Sequence, residues 1–107
     1  MKLSVIIPVH NGGHELRLCL DALVASTRTP DQIIVTDDAS TDGSGDLARQ
    51  CGAQVITVEG PAHGPAFARN RGAEKARGEI LVFLDAKNQI NGYGKQENKE
   101  NKEQEYP

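Results

Sequence analysis

The fold of this chain is decided by the stretch Ile33-Ile34-Val35-Thr36-Asp37-Asp38-Ala39-Ser40-Thr41-Asp42-Gly43. An apolar run leads without a polar break into two adjacent carboxylates and then into a helix start. Such a run predicts a strand buried on both faces, which is typical of parallel sheets covered by helices. Ligands of open α/β sheets bind outside the carboxyl ends of the strands. We therefore expect a ligand site at Asp37 and Asp38; the alternative is that one caps a helix and the other is solvated.

Apolar runs and segments with helical spacing alternate along the chain. In order, these segments are 3–9, 15–26, 33–36, Ser40 or Thr41 to Cys51, 54–58, 66–76 and 79–84. The alternation predicts an α/β fold, a three-layer Rossmann-like parallel sheet with helices on both faces and right-handed crossovers. If the first strand is central, the strand ends bring to one crevice His10, Asp37, Asp38 and Asp85.

The helical segments also predict how they pack. The first has one apolar face at helical spacing, formed by Leu16, Leu20, Leu23 and Val24. The last carries small residues that would let it approach the sheet closely, namely Ala66, Gly72, Ala73 and Ala76.

The composition divides the chain in two. Residues 1–86 form one predicted domain, whereas residues 87–107 hold four lysines, four glutamates and four asparagines with few apolar groups. Such a segment cannot bury enough surface to offset a backbone ordering entropy of roughly 1–2 kcal/mol per residue. We expect a disordered, low-complexity polar tail.

Charge and cysteine content limit the partners. The net charge of −3 lies in the first 86 residues, and no basic surface of the kind that binds nucleic acid is indicated. No apolar stretch approaches the 18 residues of a transmembrane segment. Cys19 and Cys51 are too few for a disulfide framework and are expected to be buried as small hydrophobes. A cytoplasmic location is the expectation.

Several nucleotide-site motifs are absent. Asn11-Gly12-Gly13 does not provide the G-x-G-x-x-G of a dinucleotide site, and no Walker phosphate loop occurs. Carboxylates at a strand edge suit two tasks, hydrogen bonding to ribose or base groups and holding a hard divalent cation. The histidines lack metal-ligand spacing; His10 is expected at the site edge, and His14 and His63 on the surface.

Three segments in this order resemble one family: SVIIPVHNGG at 4–13, IIVTDDASTDGS at 33–44, and ARNRGAEKARGEILVFLDA at 68–86. They are similar to the nucleotide-binding half of GT-A nucleotide-sugar glycosyltransferases of family 2. The resemblance covers Leu3 to Ala86. It implies a glycosyltransferase-like domain that binds a nucleoside diphosphate sugar, uridine diphosphate type, for transfer of the sugar to an acceptor, with the strand order 3-2-1-4.

The resemblance also implies roles for individual residues. The nucleobase and ribose would be held by Pro8, Val9, His10, Asn11, Asp37 and Asp38. Arg69 and Asn70 match the helix that flanks the diphosphate. Asp85 matches the first carboxylate of the D-x-D motif, the position that holds a divalent cation, Mg²⁺ or Mn²⁺, in the family.

The sequence departs from the family at the second D-x-D carboxylate, which is Lys87. An ammonium group repels a cation and supplies no ligand. The family's acceptor-binding half, with its catalytic base, also has no counterpart among residues 89–107. We therefore expect a truncated domain that is inactive alone. The alternatives are a non-catalytic nucleotide-binding module and a nonfunctional fragment whose tail comes from a frameshift or fusion.

The last apolar run carries one further expectation. Residues 80–84 are apolar at every position, as in a strand covered on both faces. The implied strand order places them at a sheet edge, so self-association through this strand is expected.

Overall fold

The computed structural model describes residues 1–86, and the expected tail at 87–107 lies outside them. The elements follow one another as β1 (Leu3–Val9), α1 (Gly13–Ala25), β2 (Gln32–Asp38), α2 (Ser44–Gln50), β3 (Gln54–Val58), α3 (Pro65–Lys75) and β4 (Ile80–Phe83). All three strand pairings are parallel, and the order β3-β2-β1-β4 places β1 and β2 in the interior. The predicted fold class and strand order are confirmed.

The two faces of the sheet are covered by different helices. On one face Val5, Ile7 and Val35 form the core with buried side chains of α1 and Ala48 of α2. On the other face α3 lies against β1 and β2, where Gly72 comes close to Ile6 and Thr36. The sheet is therefore the middle layer of three, as expected.

Helix α1 buries a narrower face than its sequence predicts. Leu16 and Leu20 are fully buried, but Val24 is 58% exposed. At 3.6 residues per turn Val24 lies about 80° around the helix from Leu16, which takes it off the buried side. The prediction that Val24 belongs to the apolar face is wrong.

Helix α2 begins later than predicted. Its N-cap is Gly43, with a left-handed φ of 86°, and neither Ser40 nor Thr41 caps it. Ser40 instead accepts a hydrogen bond from the Asn11 backbone N–H. Ser40, which was predicted as a possible helix cap, therefore forms a contact between two loops.

Strand β4 ends the described sheet and pairs with β1. Ile80 is 43% exposed and the other three residues are half-buried. Self-association through this strand stays a prediction. Within the described residues no helix combines the length and apolar character needed to cross a bilayer.

Candidate functional site

Pro8 opens a gap between β1 and β4 at the carboxyl ends of these strands. The β1–β4 ladder ends where the Leu84 N–H donates to the Ile6 carbonyl oxygen at 3.0 Å. In a parallel ladder the next bond on that side would come from residue 8 of β1, and proline has no N–H. A cavity of about 260 Å³ lies here, lined by residues from the ends of β1 and β4 and from α3.

Arg69 and Asp85 both line this first cavity. Arg69 comes from α3, and Asp85 follows β4, beyond Leu84. Asp85 also acts on the α1 side of the sheet, at the thiol of Cys19. Burial raises the pKa of this thiol to about 11, and the negative charge of Asp85 contributes to the rise. The cavity therefore has a cationic and an anionic group on its walls.

His10 forms a fixed link between β1 and β2. Its Nδ1 lies 2.7 Å from the Asp38 backbone oxygen, and because a carbonyl only accepts, Nδ1 must carry the proton. Its Nε2 lies 3.3 Å from Asn11 Nδ2. The Asn11 amide is oriented by its Oδ1, which accepts from the Thr41 N–H at 2.8 Å, so Nδ2 donates to His10. These bonds make Nδ1 the donor and Nε2 the acceptor of the His10 ring.

Asp38 lines a second cavity, of about 230 Å³, on the α3 side of the sheet. Asp38 is buried, and its carboxylate holds the loop before α3. Oδ2 accepts from the backbone N–H groups of His63 at 2.7 Å and Gly64 at 2.8 Å, and Oδ1 lies 3.2 Å from His63 Nδ1. Burial opposes ionisation, but these donors outweigh it and hold the pKa of Asp38 below its usual range.

Asp37 lies on the opposite face of β2, because successive strand side chains alternate. Its Oδ1 accepts from the Ser40 N–H at 3.1 Å, and its Oδ2 lies against Gly45 of α2, 2.6 Å from where a Cβ would stand. It lines a third cavity, beside the end of β3. Asp37 therefore lines a different cavity from Asp38 and Asp85.

The structure distributes the predicted site residues among different cavities. The first two cavities share a wall formed by Pro8, Val9 and His10. Asp38 lies on one side of this wall, and Asp85 and Arg69 lie on the other. Asn11 orients His10 and contacts the β2–α2 loop. Asp37 supports that loop from the other face.

Three polar residues that the sequence analysis did not place in the site help to shape it. Ser44 Oγ accepts from the N–H groups of Gly12 and Gly13, His63 contacts Asp38, and Thr41 fixes the Asn11 amide. The left-handed φ of 55° at Asn11 permits this turn, and asparagine adopts that conformation more readily than most residues. The H-N-G-G segment was a signal for the turn, but its partners lie about 30 positions away along the chain.

The described residues offer few grouped metal ligands. Within residues 1–86, no three or more His, Cys, Asp or Glu side chains are grouped closely enough to hold a metal ion. The nearest candidate, Asp85, is one carboxylate, and Lys87 stands two positions later. Hard divalent cations take several oxygen ligands.

A parallel sheet with helices on both faces and a crevice at the carboxyl ends of β1, β2 and β4 defines an α/β domain of the Rossmann-like type. The sequence matches Glycosyl transferase family 2 over residues 4–93, which extends past Ala86. The chain belongs to this family.

Relatives support the assignment. An uncharacterized glycosyltransferase of Escherichia coli (strain K12), YibD, is 38% identical over 92 residues, which are 83% of this chain and 27% of that protein. Glucosyl-3-phosphoglycerate synthase from Mycobacterium tuberculosis, solved with Mn²⁺, uridine diphosphate and glucosyl-3-phosphoglycerate, has a TM-score of 0.68 and 28% identity, covering 79% of this chain and 33% of that one.

A second solved structure binds a different nucleotide. The mannosyltransferase PcManGT from Pyrobaculum calidifontis, in complex with GDP-Man and Mn²⁺, has a TM-score of 0.67 and 30% identity, covering 79% of this chain and 27% of that one. This chain thus spans between about a quarter and a third of the length of these three proteins.

Proposed function

We propose that this chain binds a nucleoside diphosphate sugar across the wall formed by Pro8, Val9 and His10. The nucleoside occupies the cavity beside Asp38, and the diphosphate occupies the cavity beside Arg69. The observation that carries this proposal is the adjacency of the two cavities, which share that wall and differ in the charged groups they present.

The chemistry of each cavity matches its part of the ligand. The Asp38 carboxylate has a lowered pKa and is ionised at neutral pH, so it accepts hydrogen bonds from a base N–H or a ribose hydroxyl. The Arg69 guanidinium provides donors suited to phosphate oxygens. Uridine diphosphate is the nucleotide we propose, because the mycobacterial neighbour was solved with it.

Sugar transfer by this chain alone is not part of the proposal. The aligned segment covers 27% of the Escherichia coli relative and 33% of the mycobacterial one, so most of each glycosyltransferase lies outside the alignment. We expect no release of uridine diphosphate from UDP-glucose by the purified chain beyond the spontaneous rate. Turnover above that rate would assign the chain a catalytic base of its own.

Isothermal titration calorimetry with uridine diphosphate tests the binding proposal. Asp38→Ala is expected to abolish detectable binding, and Arg69→Ala to weaken it by about tenfold or more, because a hydrogen bond between charged groups is lost. The matched control is Asp21→Ala, which removes an exposed carboxylate on α1 that pairs with Arg17. Circular dichroism establishes that each variant is folded.

Two results would overturn the proposal. Equal affinity of wild type and a folded Asp38→Ala variant would show that the nucleoside does not bind in the cavity beside Asp38. A folded wild-type chain that binds neither uridine diphosphate nor guanosine diphosphate would refute nucleotide binding altogether.

We also propose a reducing, cytoplasmic location. Cys19 and Cys51 are both free thiols in the structure, and the Cys19 thiol is buried in the core. Disulfides are uncommon in proteins of reducing compartments. Localisation of the tagged chain by cell fractionation tests this assignment, and recovery from a secreted fraction would contradict it.

A further inference from the structure

We propose that His63 is a positioning residue of the nucleotide cavity, which acts by holding the Asp38 carboxylate in the orientation that a nucleoside requires. This inference rests on the proposed function, since the oriented carboxylate is the one assigned to the nucleoside.

The contacts of Asp38 divide its two oxygens between different tasks. Oδ2 accepts two backbone N–H groups and so anchors the loop at His63 and Gly64. Oδ1 contacts one group of this loop, the His63 Nδ1 at 3.2 Å. Because a carboxylate accepts, the ring must present Nδ1–H, and a carboxylate oxygen has a second lone pair for another donor. Oδ1 is therefore the oxygen suited to a ligand, and His63 determines its direction.

The His63 ring is itself held from α3. Its centroid lies 4.4 Å from that of Phe67, with the rings tilted by 49°. The Arg71 guanidinium lies 6.0 Å from the Phe67 centroid, one helical turn further along. His63 keeps 40% of its side chain exposed, whereas Asp38 keeps 4%. The His63 ring therefore lies between the Asp38 carboxylate and solvent, and the carboxylate borders the cavity on its other side.

The loop that His63 belongs to forms part of the cavity wall. Ala62, Gly64 and Pro65 line the cavity with Asp38, whereas the His63 ring does not. Gly64 is the N-cap of α3 and has a φ of 100°, a conformation that favours glycine, so the loop passes into the helix at the residue after His63. Fixing this loop before a ligand arrives reduces the ordering that binding would otherwise require.

The test compares three substitutions of His63 in the intact chain, with uridine diphosphate as the probe. His63→Ala is expected to weaken affinity about three- to tenfold, the effect of one hydrogen bond to a charged group at a partly exposed site. His63→Asn is expected to restore affinity, because the asparagine amide nitrogen stands where the ring Nδ1 stands. His63→Gln, whose amide nitrogen corresponds to Nε2, is expected to resemble the alanine variant.

A second readout needs no nucleotide. In the ligand-free chain, carbon-13 NMR titration of the Asp38 carboxyl is expected to show a higher pKa in His63→Ala than in wild type, and a return toward wild type in His63→Asn. If wild type binds no nucleotide, the proposed function fails, while this titration still tests the positioning contact.

The outcomes separate positioning from a purely structural role. A graded loss of affinity in all three variants, in proportion to thermal stability and with no shift of the Asp38 titration, would overturn the inference. Wild-type affinity in His63→Ala would overturn it as well. Rescue by asparagine but not glutamine in both readouts is the expected result.

Discussion

Ser44 Oγ accepts the backbone N–H of Gly12 at 3.0 Å, although the two residues lie 32 positions apart. The same oxygen accepts from the Gly13 N–H at 3.2 Å and donates to Asp42 Oδ1 at 2.6 Å. One buried hydroxyl on α2 thus satisfies the amides at the start of α1. This contact holds the turn after β1 against the loop after β2.

Removal of this hydroxyl is expected to destabilise the chain. Ser44→Ala leaves the buried Gly12 N–H and the partly buried Gly13 N–H without their acceptor, which should lower the free energy of unfolding by about 1–3 kcal/mol. Urea denaturation measures the change. Thr27→Ala, an exposed position in the α1–β2 connection, is the control and should change stability by less than about 0.5 kcal/mol. Equal stability of the two variants would contradict the role of Ser44.

Gly72 sets the distance between α3 and the sheet. A Cβ at this position would lie 2.5 Å from Ile6 Cγ2 and 2.9 Å from Thr36 Oγ1, both on buried strands. Gly72→Ala is therefore expected to push α3 outward and to lower the free energy of unfolding by about 1–3 kcal/mol, although alanine favours helix. Thermal and urea unfolding measure the loss. Glu74→Ala on the exposed side of α3 is the control, and stabilisation by Gly72→Ala would contradict the close packing.

The lowered pKa of Asp38 makes stability depend on pH in a definite direction. The folded state favours the ionised carboxylate, so its contribution is complete above the usual Asp value, about 3.9, and is lost as pH falls through the lower folded pKa. The stability difference between wild type and Asp38→Asn should be constant above about pH 5 and shrink below about pH 4. Urea unfolding across this range measures it, and a difference independent of pH would be inconsistent with the lowered pKa.

Lys87, which lies outside the described residues, bears on whether nucleotide binding depends on a metal ion. With lysine at the second D-x-D position, Mn²⁺ or Mg²⁺ should add little to the affinity for uridine diphosphate, and Lys87→Asp should introduce metal dependence. If Lys87 instead pairs with the diphosphate, Lys87→Asp should weaken binding without metal. Calorimetry with metal and with chelator distinguishes the two, Lys95→Asp is the matched control, and strong metal dependence of wild type would contradict both.

The secondary structure could be predicted from the sequence because its causes are local. Seven elements could be predicted to within a few residues of their observed bounds. The signals were apolar runs such as 33–35 and 80–84 and the glycine and proline residues between segments. The strand order followed from the family resemblance. The opposite faces of Asp37 and Asp38 could also have been deduced, because alternation along a strand requires them once β2 is known to extend through Asp38.

Local patterns in the sequence were enough to predict the layers, the strand ends and the residue types at the crevice. The partners of these residues depend on the folded chain: Ser44 pairs with Gly12, His63 with Asp38, and Asn11 with Thr41. Each pair is separated by 25 or more positions, and its hydrogen bond depends on how two loops approach after the sheet has formed. Hydrophobic periodicity indicates which residues of an element face the core, because burial repeats along the element. A single polar contact between two loops has no such repeat, so these contacts could not be predicted.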